Sequence, residues 1–330
     1  MPPEADASSA GEAATPEGSR LALVAATTVT MVAFAANSLL TRAALAEGRI
    51  DAASFAALRL ASGALVLGFL LHWRRRRDGG ARPSPLDRWA VLALLAYVLP
   101  FSWAYRHVEA GVGALILFGA VQVTMVGAGL LAGERPSWPV WVGSAIALGG
   151  LAYLGWPGEG APPVAGSVAM TVAGVAWGAY SLRGRRVDSP LAATARNFAW
   201  ASGPALLVAA SLHWPGTGDP TVAAEGSSFL AGWRSAWAPA PIYGGGVLLA
   251  VASGALASGL GYALWYRTVP RLSRTTAAVV QLSVPPIALL ASVALLGEAL
   301  SLKTTVASAL ILGGVGLAVS ARSGAAPRTR

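Results

Sequence analysis

The chain has 330 residues, of which 55% are hydrophobic and only 12% are charged, and it has no cysteine. Soluble domains carry about 25% charged residues, so this composition predicts a polytopic membrane protein embedded in a lipid bilayer, without a disulfide framework or a thiolate metal site. The net charge of +9 comes mostly from arginines near the ends of apolar segments, a pattern typical of a membrane topology signal rather than of a nucleic-acid-binding protein.

The chain begins with residues 1–19, which are rich in Ala, Ser, Pro and Glu and lack the basic region of a secretory signal. We predict a disordered cytoplasmic tail there and a second tail at 322–330. Ten apolar segments lie between the tails and predict an all-α membrane protein with ten transmembrane helices. These segments are Leu21–Thr41, Ala53–Trp73, Trp89–Tyr105, Val112–Ala132, Pro139–Leu154, Gly166–Leu182, Ala193–Leu212, Gly244–Tyr266, Thr275–Leu296 and Thr304–Ser320.

Basic residues are distributed unevenly between the loops on the two sides. If the N-terminus is cytoplasmic, seventeen basic residues lie inside and five lie outside. Basic loops stay on the cytoplasmic side of a membrane. We therefore predict a multi-pass protein of the bacterial cytoplasmic membrane with both termini and Arg74–Arg77 inside, and with the loop Pro215–Pro241 outside.

The fourth and fifth segments recur later in the chain. Shifting Gly113–Gly155 by 164 positions lays it over Ala277–Val319, and 11 of the 43 paired residues are identical. Both copies contain a Gly-Glu pair at the end of a predicted helix, Gly133-Glu134 in the first and Gly297-Glu298 in the second. Internal repeats of this kind decide the architecture of a chain.

The two copies begin at helices that are five crossings apart, and an odd number of crossings inverts the second copy. We therefore predict two inverted five-helix repeats, at 20–157 and 164–321. In transporters built this way the substrate site lies where the repeats meet, near the middle of the membrane.

The stretch from Gln281 to Glu298 contains two adjacent prolines. Pro285 and Pro286 have no N–H group, so the carbonyls of Gln281 and Leu282 lose their helical partners at membrane depth. Such carbonyls are tolerated only where protein or a water-filled cavity receives them. One interpretation is that Gln281 to Pro286 forms the wall of a polar cavity, and the other is a proline kink that a neighbouring helix satisfies.

These features together resemble the drug/metabolite transporter superfamily, and within it the EamA-type transporters with ten helices. The resemblance covers about Leu21–Ser320. Its motifs are the two Gly-Glu helix ends, Pro285, the pair Trp177-Gly178, and Arg59 inside the second helix.

The resemblance implies that helices 1, 3, 4, 6, 8 and 9 line a central cavity, while helices 5 and 10 brace the edge. The sequence departs from the family pattern at two places. The fourth helix has Val121-Gln122 where the ninth has the two prolines, and the first helix has Asn37-Ser38 where a Trp-Gly pair is usual. Because of these departures, the substrates of better-known members cannot be assigned directly to this chain.

Polar side chains within membrane spans are expensive and usually face the interior of a bundle. We predict that several of them, together with Pro285, bind a small-molecule substrate. Each is equally suited to an interhelical hydrogen bond, worth about 0.6–2 kcal/mol in membranes. The predicted substrate-binding residues are Asn37, Arg59, Gln122, Trp177, Tyr180, Tyr262, Gln281 and Pro285.

Two arginines lie within the predicted spans. Arg59 is about two turns into the second helix, so we expect it to meet a carbonyl, a loop carboxylate such as Asp51, or an anionic group of the substrate, with a structural role as the alternative. Arg196 lies one turn into the seventh helix and can reach the membrane surface by snorkelling. For Trp265 and Tyr266, the alternative to cavity lining is a place in the aromatic belt at the membrane interface.

The fifth and tenth helices carry small residues at a spacing that permits close helix packing, Ala145 with Gly149 and Ala309 with Gly313. Their partner is either the rest of the chain or a second copy, so a homodimer is left open.

The predicted spans have no Asp or Glu in their middle, and the three histidines lie at helix ends. An enzyme site, a metal site and a carboxylate proton relay therefore lack their components, and we expect no cofactor. The phosphate-binding loop of an ATP-driven pump is also missing. We predict a secondary transporter of an amino acid or similar amphipathic solute that works by alternating access, with export implied by the resemblance alone. The alternative is a non-transporting membrane scaffold or sensor.

Overall fold

The computed structural model describes residues 16–78, 85–134, 137–156, 158, 161–213, 237 and 240–320, and within them every regular element is a helix. All ten predicted apolar segments are helical. The ninth is in two pieces, α9a and α9b. The helices are α1 (Pro16–Leu45), α2 (Ala52–Asp78), α3 (Arg88–Ala104), α4 (Ala110–Leu131), α5 (Trp138–Gly155), α6 (Val164–Gly184), α7 (Pro190–His213), α8 (Gly244–Arg271), α9a (Arg274–Gln281), α9b (Val284–Leu296) and α10 (Leu302–Ser320).

Five helical stretches of the described residues are long and apolar enough to cross a membrane by themselves. They are Leu21–Leu45, Ala52–Arg77, Ala110–Leu131, Val164–Gly184 and Gly244–Arg271. The helices α3, α5, α9b and α10 are apolar but shorter. The helical class of the protein is thus established, and the number of ten crossings stays a prediction.

The ends of the chain and the longest loop fall largely outside the described residues. α1 begins at Pro16, so the last residues of the predicted tail are helical, and α2 continues through Arg74–Arg77 to Asp78. Residues 1–15, most of the predicted outer loop and the tail at 322–330 lie outside the part of the chain that the structure describes.

The ninth helix is broken immediately after Gln281. Pro285 and Pro286 lie in the first turn of α9b, where a backbone N–H would have no helical acceptor in any case. The sequence interpretation placed both prolines inside one continuous helix, and that is wrong, because they start a new one. Ser283 stabilises the break by donating its N–H and its hydroxyl to the carbonyl oxygen of Val280, at 3.1 and 2.8 Å.

The middle of α8 is a π-helix over Ser253–Leu260. Hydrogen bonds in a π-helix join residues five apart, so residues i and i+5 lie near the same face, whereas an α-helix would separate them by about 140°. Ser253 and Ser258 are related in this way. The unusual turn therefore brings two hydroxyl groups to one side of α8.

Helices from the two halves of the chain pack against each other in the centre. α2 contacts α7 and the π-helical turn, and α3 and α4 both contact α6. α5 and α10 form a pair of their own. Any cavity between α3, α4 and α6 is therefore shared by both halves.

The α5–α10 pair depends on close approach at glycine. A Cβ atom at Gly150 would lie 3.0 Å from the carbonyl oxygen of Ala307, and one at Gly314 would lie 2.4 Å from that of Gly143. The predicted small residues are on other faces, because Ala145, Gly149, Ala309 and Gly313 are exposed. Their role in contacting a second copy stays a prediction.

Both Gly-Glu pairs end a helix in the same way. Gly133 and Gly297 have φ angles of 81° and 66°, a left-handed conformation that glycine adopts without strain and that commonly ends helices. The backbone N–H of Glu134 returns to the carbonyl of Gly129 at 2.9 Å, and that of Glu298 returns to Ser292 at 3.3 Å. Each motif therefore places a glutamate directly after the end of its helix.

Candidate functional site

Arg59 is the centre of a polar cluster buried between the helices. Its side chain is completely buried. Nε donates to Ser258 Oγ at 2.8 Å, and Nη2 donates to the phenol oxygens of Tyr97 and Tyr262 at 3.0 and 2.6 Å. The guanidinium carbon also lies 4.9 Å from the ring centre of Phe101, which is within the range of a cation–π contact. The cluster joins α2 to α3 and α8.

Arg59 forms no ion pair within the described residues, and its Nη1 has no hydrogen-bond partner there. Asp51, one of its expected partners, instead lies 2.9 Å from His213 Nε2 and accepts the N–H of Ser54 at 2.8 Å. The expectation of an Asp51 partner is therefore wrong. The protein buries a positive charge among neutral hydroxyl groups and aromatic rings.

Asn37 links α1 to the same cluster. Its Oδ1 accepts the hydroxyl of Ser253 at 2.6 Å and that of Ser258 at 3.4 Å, and its Nδ2 donates to the phenol oxygen of Tyr97 at 3.2 Å. The π-helical turn of α8 explains why both serines reach one amide. A regular α-helix would turn one of them away.

The phenol oxygen of Tyr97 is the point at which several donors converge. It accepts from Arg59 and from Asn37, and the phenol of Tyr262 lies 3.0 Å away. Each phenol has a single proton, and the two phenols share one hydrogen bond. The hydroxyls of Tyr97, Tyr262 and Ser258 therefore surround the guanidinium of Arg59 with neutral groups that can both donate and accept.

A small cavity lies beside this cluster, with room for about one water molecule. Its walls are mostly aromatic, with the ring centres of Phe34 and Trp177 5.1 Å apart and those of Trp177 and Tyr262 4.5 Å apart. It is lined by Phe34, Asn37, Ser38, Tyr97, Phe101, Leu117, Phe118, Trp177 and Tyr262. These residues come from α1, α3, α4, α6 and α8, which are the helices that the family resemblance assigns to a central cavity, apart from the ninth.

The predicted site residues divide into two groups. Asn37, Trp177 and Tyr262 line the small cavity. Arg59 donates hydrogen bonds to two phenols in its wall. Tyr180 stacks on Trp177 with ring centres 5.6 Å apart. These residues are brought together by the fold.

Three other predicted residues lie behind that wall or apart from it. Gln281 is completely buried and accepts the indole N–H of Trp177 at 2.6 Å, without lining the small cavity. Pro285 is buried in the first turn of α9b. Gln122 is 3% exposed, and its Oε1 has no hydrogen-bond partner among the described residues.

Trp265 and Tyr266 are both completely buried. The indole of Trp265 donates to Ser181 Oγ at 3.1 Å, and the phenol of Tyr266 donates to the carbonyl oxygen of Tyr180 at 3.1 Å. The alternative of an interfacial aromatic belt is therefore wrong for this pair. Both side chains hold α8 against α6.

A larger cavity of about 1580 Å³ opens where α3 begins and α6 ends. Charged residues at its mouth include Asp87, Arg183 and Arg185. Its lining extends along α3 to Ala96, about two turns from that end of the helix, and along α6 past Ala176 as far back as Thr171. The neighbouring residues Tyr97 and Trp177 line the small cavity, so the large cavity reaches the level of the polar cluster.

Glu298 ties together helix ends at one end of the bundle. Its carboxylate accepts the N–H of Ala110, the first residue of α4, at 2.9 and 3.0 Å, and it accepts Nε of Arg42 at 3.2 Å. Arg42 also donates to the carbonyl oxygens of Tyr105 and Arg106 at 2.9 and 3.3 Å. A carboxylate at a helix N-terminus is favoured by the helix dipole.

The opposite end has a related arrangement around Glu134. Its carboxylate accepts Nη1 of Arg274 at 2.9 Å, and the 164-position shift pairs Glu134 with Glu298 and Arg274 with Ala110. Arg185 donates to the carbonyl oxygens of Val269 and Leu272 at this end. At the other end, Arg42 donates in a similar way to backbone carbonyl oxygens. Each end of the bundle is thus held by the glutamate of a Gly-Glu pair and by an arginine that donates to backbone carbonyl oxygens.

Titratable groups at both ends are shifted by these contacts. Burial and the nearby Glu298 carboxylate raise the pKa of Glu109, with Arg42 acting in the opposite direction. Burial together with Arg274 lowers the pKa of Arg185, while Glu134 opposes the shift. Burial alone would raise the pKa of Asp87, but hydrogen bonds from Arg183 and from the N–H of Ala90 lower it overall.

Sequence reasoning missed three central residues. Tyr97 is a polar residue in the middle of a predicted span, and Phe34 lies three positions before Asn37 on the same helical face, so both carried a signal in the sequence. Ser253 carried none, because its position depends on the π-helical turn.

A helical chain with apolar spans and a buried polar cluster shared by both halves defines a multi-pass membrane protein with a central site.

The chain belongs to the EamA-like transporter family, whose sequence model matches residues 21–156 and 164–320. It is 45% identical over 303 residues to an uncharacterized protein of Pseudomonas aeruginosa, covering 92% of this chain and 96% of that protein. It is 29% identical over 276 residues to a probable terminal-alkyne amino-acid exporter of Streptantibioticus cattleyicolor, covering 83% of this chain and 82% of that protein. The protein is therefore a membrane transporter of the drug/metabolite transporter superfamily.

A solved crystal structure covers 93% of this chain and 100% of its own, with a TM-score of 0.63 at 19% identity. That similarity shows a shared fold.

Proposed function

We propose that the protein is a secondary transporter that exports an amino acid or similar small amphipathic metabolite across the cytoplasmic membrane. The observation that carries this proposal is the cluster of Arg59, Asn37, Tyr97 and Tyr262, in which residues from both halves of the chain surround a buried charge next to an aromatic cavity. A polar cluster within membrane spans is costly and usually marks a substrate pathway.

Alternating access is supported by the difference between the two ends of the bundle. Glu298 joins four helix ends at one end, while the cavity of about 1580 Å³ opens at the other. Repeats that are inverted relative to each other can exchange these two arrangements, because each half contains the same helix-end motif. We propose that loosening of the Glu298 contacts opens the closed end while the Glu134 end closes.

The proposed topology has ten crossings in two inverted five-helix repeats and both termini in the cytoplasm. The open cavity then faces the cytoplasm, because its mouth carries Arg183, Arg185 and Arg186, and basic segments stay inside. An exporter collects its substrate from that side. The name of the S. cattleyicolor relative supports both the direction and the class of substrate.

The test is a transport screen with the purified protein in proteoliposomes that are loaded with a mixture of amino acids and related metabolites. Release or exchange of particular solutes above the level of protein-free liposomes is expected. Flux of no solute from vesicles that contain correctly folded protein would contradict the proposal and favour a scaffold or sensor.

A further inference from the structure

The charge of Arg59 has no counter-charge within the part of the chain that the structure describes. The carboxylates at the helix ends are engaged elsewhere, Asp51 with His213, Glu134 with Arg274 and Glu298 with Arg42. An unpaired buried ion costs several kcal/mol in a protein interior. A ligand that carries one negative charge would remove this cost when it binds.

The hydrogen bonds of the cluster show the same shortage. Nη1 of Arg59 has no hydrogen-bond partner among the described residues. Because a guanidinium is a small planar fork, Nη1 lies next to Nη2, which already touches both phenols. This unsatisfied donor therefore lies close to the small cavity that both phenols line.

We infer that the transported solute presents a carboxylate to Nη1 of Arg59, beside the phenols of Tyr97 and Tyr262. This inference rests on the proposed transport function and names the chemical group that the site recognises. A carboxylate has one negative charge and accepts hydrogen bonds, which matches one unpaired cation with an unsatisfied N–H group. A phosphate group would bring a second charge for which the cluster has no cation.

The remaining walls indicate what the rest of the solute is like. The small cavity has room for about one water molecule in this structure, so the body of a bound solute has to part its aromatic walls. Those walls include Phe34, Phe118 and Trp177, which suit an apolar or aromatic side chain. The ammonium group of an amino acid would lie near the cation of Arg59, and the described residues of the cluster offer no carboxylate to pair with it. The site therefore takes monocarboxylates with an apolar body and does not require an amino group.

The test compares related probes on the purified full-length protein. Thermal unfolding and proteoliposome exchange are measured with a panel of apolar and aromatic amino acids, their N-acetyl derivatives, their methyl esters and their amides. The acids and the N-acetyl acids should stabilise the protein and exchange, whereas the esters and amides should bind roughly tenfold or more weakly, as expected for loss of a hydrogen bond to a charged group. Equal binding of acids and esters, or no acid-specific effect in the whole panel, would overturn the inference.

Two variants place the effect at the cluster. Arg59→Gln should abolish the preference for acids over esters. Tyr97→Phe, which removes a phenol oxygen that holds Nη2 of Arg59, should weaken acid binding while the ester affinity stays the same. Arg196→Gln is the matched control, because Arg196 lies half-buried in α7 outside the cluster. If Arg59→Gln does not fold, the Tyr97→Phe variant still decides, since an unchanged acid preference in that variant would overturn the inference.

Chloride is the competing ligand. Stabilisation by chloride alone that depends on Arg59 and equals that of the acids would mean that the site holds a structural anion. Failure of this inference is distinct from failure of the transport proposal. Exchange of esters and amides as fast as acids removes the carboxylate assignment only, while exchange of no solute removes the transport function.

Discussion

The indole Nε1 of Trp177 donates to the side-chain oxygen of Gln281 at 2.6 Å, although the two residues are 104 positions apart in the chain. Gln281 Nε2 in turn lies 3.2 Å from Met125 Sδ and 3.2 Å from the carbonyl oxygen of Ala277. The amide at the helix break is therefore used by the protein itself. Trp177 lines the small cavity, so the break in the ninth helix supports the cavity wall from behind.

The first prediction concerns this contact. Gln281→Leu should lower the free energy of unfolding by about 1–3 kcal/mol, because it leaves the buried N–H of Trp177 without an acceptor. An amide that faced a water-filled cavity would instead leave the free energy of unfolding nearly unchanged on this substitution. Thermal unfolding of the purified variant measures the change.

The double variant Gln281→Leu with Trp177→Phe is the control for that prediction. Removing both partners should cost less than the sum of the two single changes, because no polar group is then left unpaired. Strictly additive losses would show that the hydrogen bond does not couple the two helices.

The second prediction concerns the prolines of α9b. Changing both Pro285 and Pro286 to Ala should leave the stability unchanged or higher, because the two alanines can extend a helix across Leu282 and Ser283. The gain should be smaller than the roughly 3 kcal/mol of a proline inside a helix, since the first turn tolerates proline. Transport should fall, because Gln281 and Trp177 would shift.

Thermal stability and transport are measured on the same samples of that variant. Pro204→Ala is a useful comparison, because Pro204 lies inside α7 and away from the small cavity, and it should leave transport unaffected. Loss of stability together with normal transport by the surviving protein would argue that the break is only a structural kink.

The third prediction concerns the closed end of the bundle. Glu298→Gln weakens the bonds to Arg42 and to the N-terminus of α4, a contribution of up to about 2 kcal/mol at a partly buried helix end. A cysteine introduced at Leu117, which lines the small cavity, should then react roughly tenfold faster with an impermeant thiol reagent applied from outside.

The matched control is Glu134→Gln, which removes the related carboxylate at the other end. It should not raise the rate of labelling from outside, because the Glu298 contacts remain intact. Equal acceleration in both variants would mean that the two glutamates do not act on separate ends.

The fourth prediction concerns orientation. Single cysteines at Ala81 and Thr221 in this cysteine-free chain should differ in accessibility, with the second labelled from outside the cell and the first protected until the membrane is made permeable. Labelling at Ala81 from outside would reverse the proposed topology and also the sidedness of the large cavity.

Several features followed from the sequence because they depend on local properties of the chain. The length and apolarity of the segments predicted helices, since every backbone polar group in a membrane must be satisfied within its own segment or a closed barrel. Gly133 and Gly297 marked two helix ends because few other residues adopt a positive φ. The family followed from the order of these motifs in two copies.

The detailed site followed only from the tertiary structure, because it depends on which helix faces meet. Arg59 was predicted as a site residue, but its phenol partners lie on α3 and α8, far away in sequence. Ser253 reaches Asn37 only through a π-helical turn, and no periodicity of apolar residues encodes such a turn. The sequence by itself determined the class of the protein and most of its helices, whereas the packing of the two halves decided which polar groups share a buried charge.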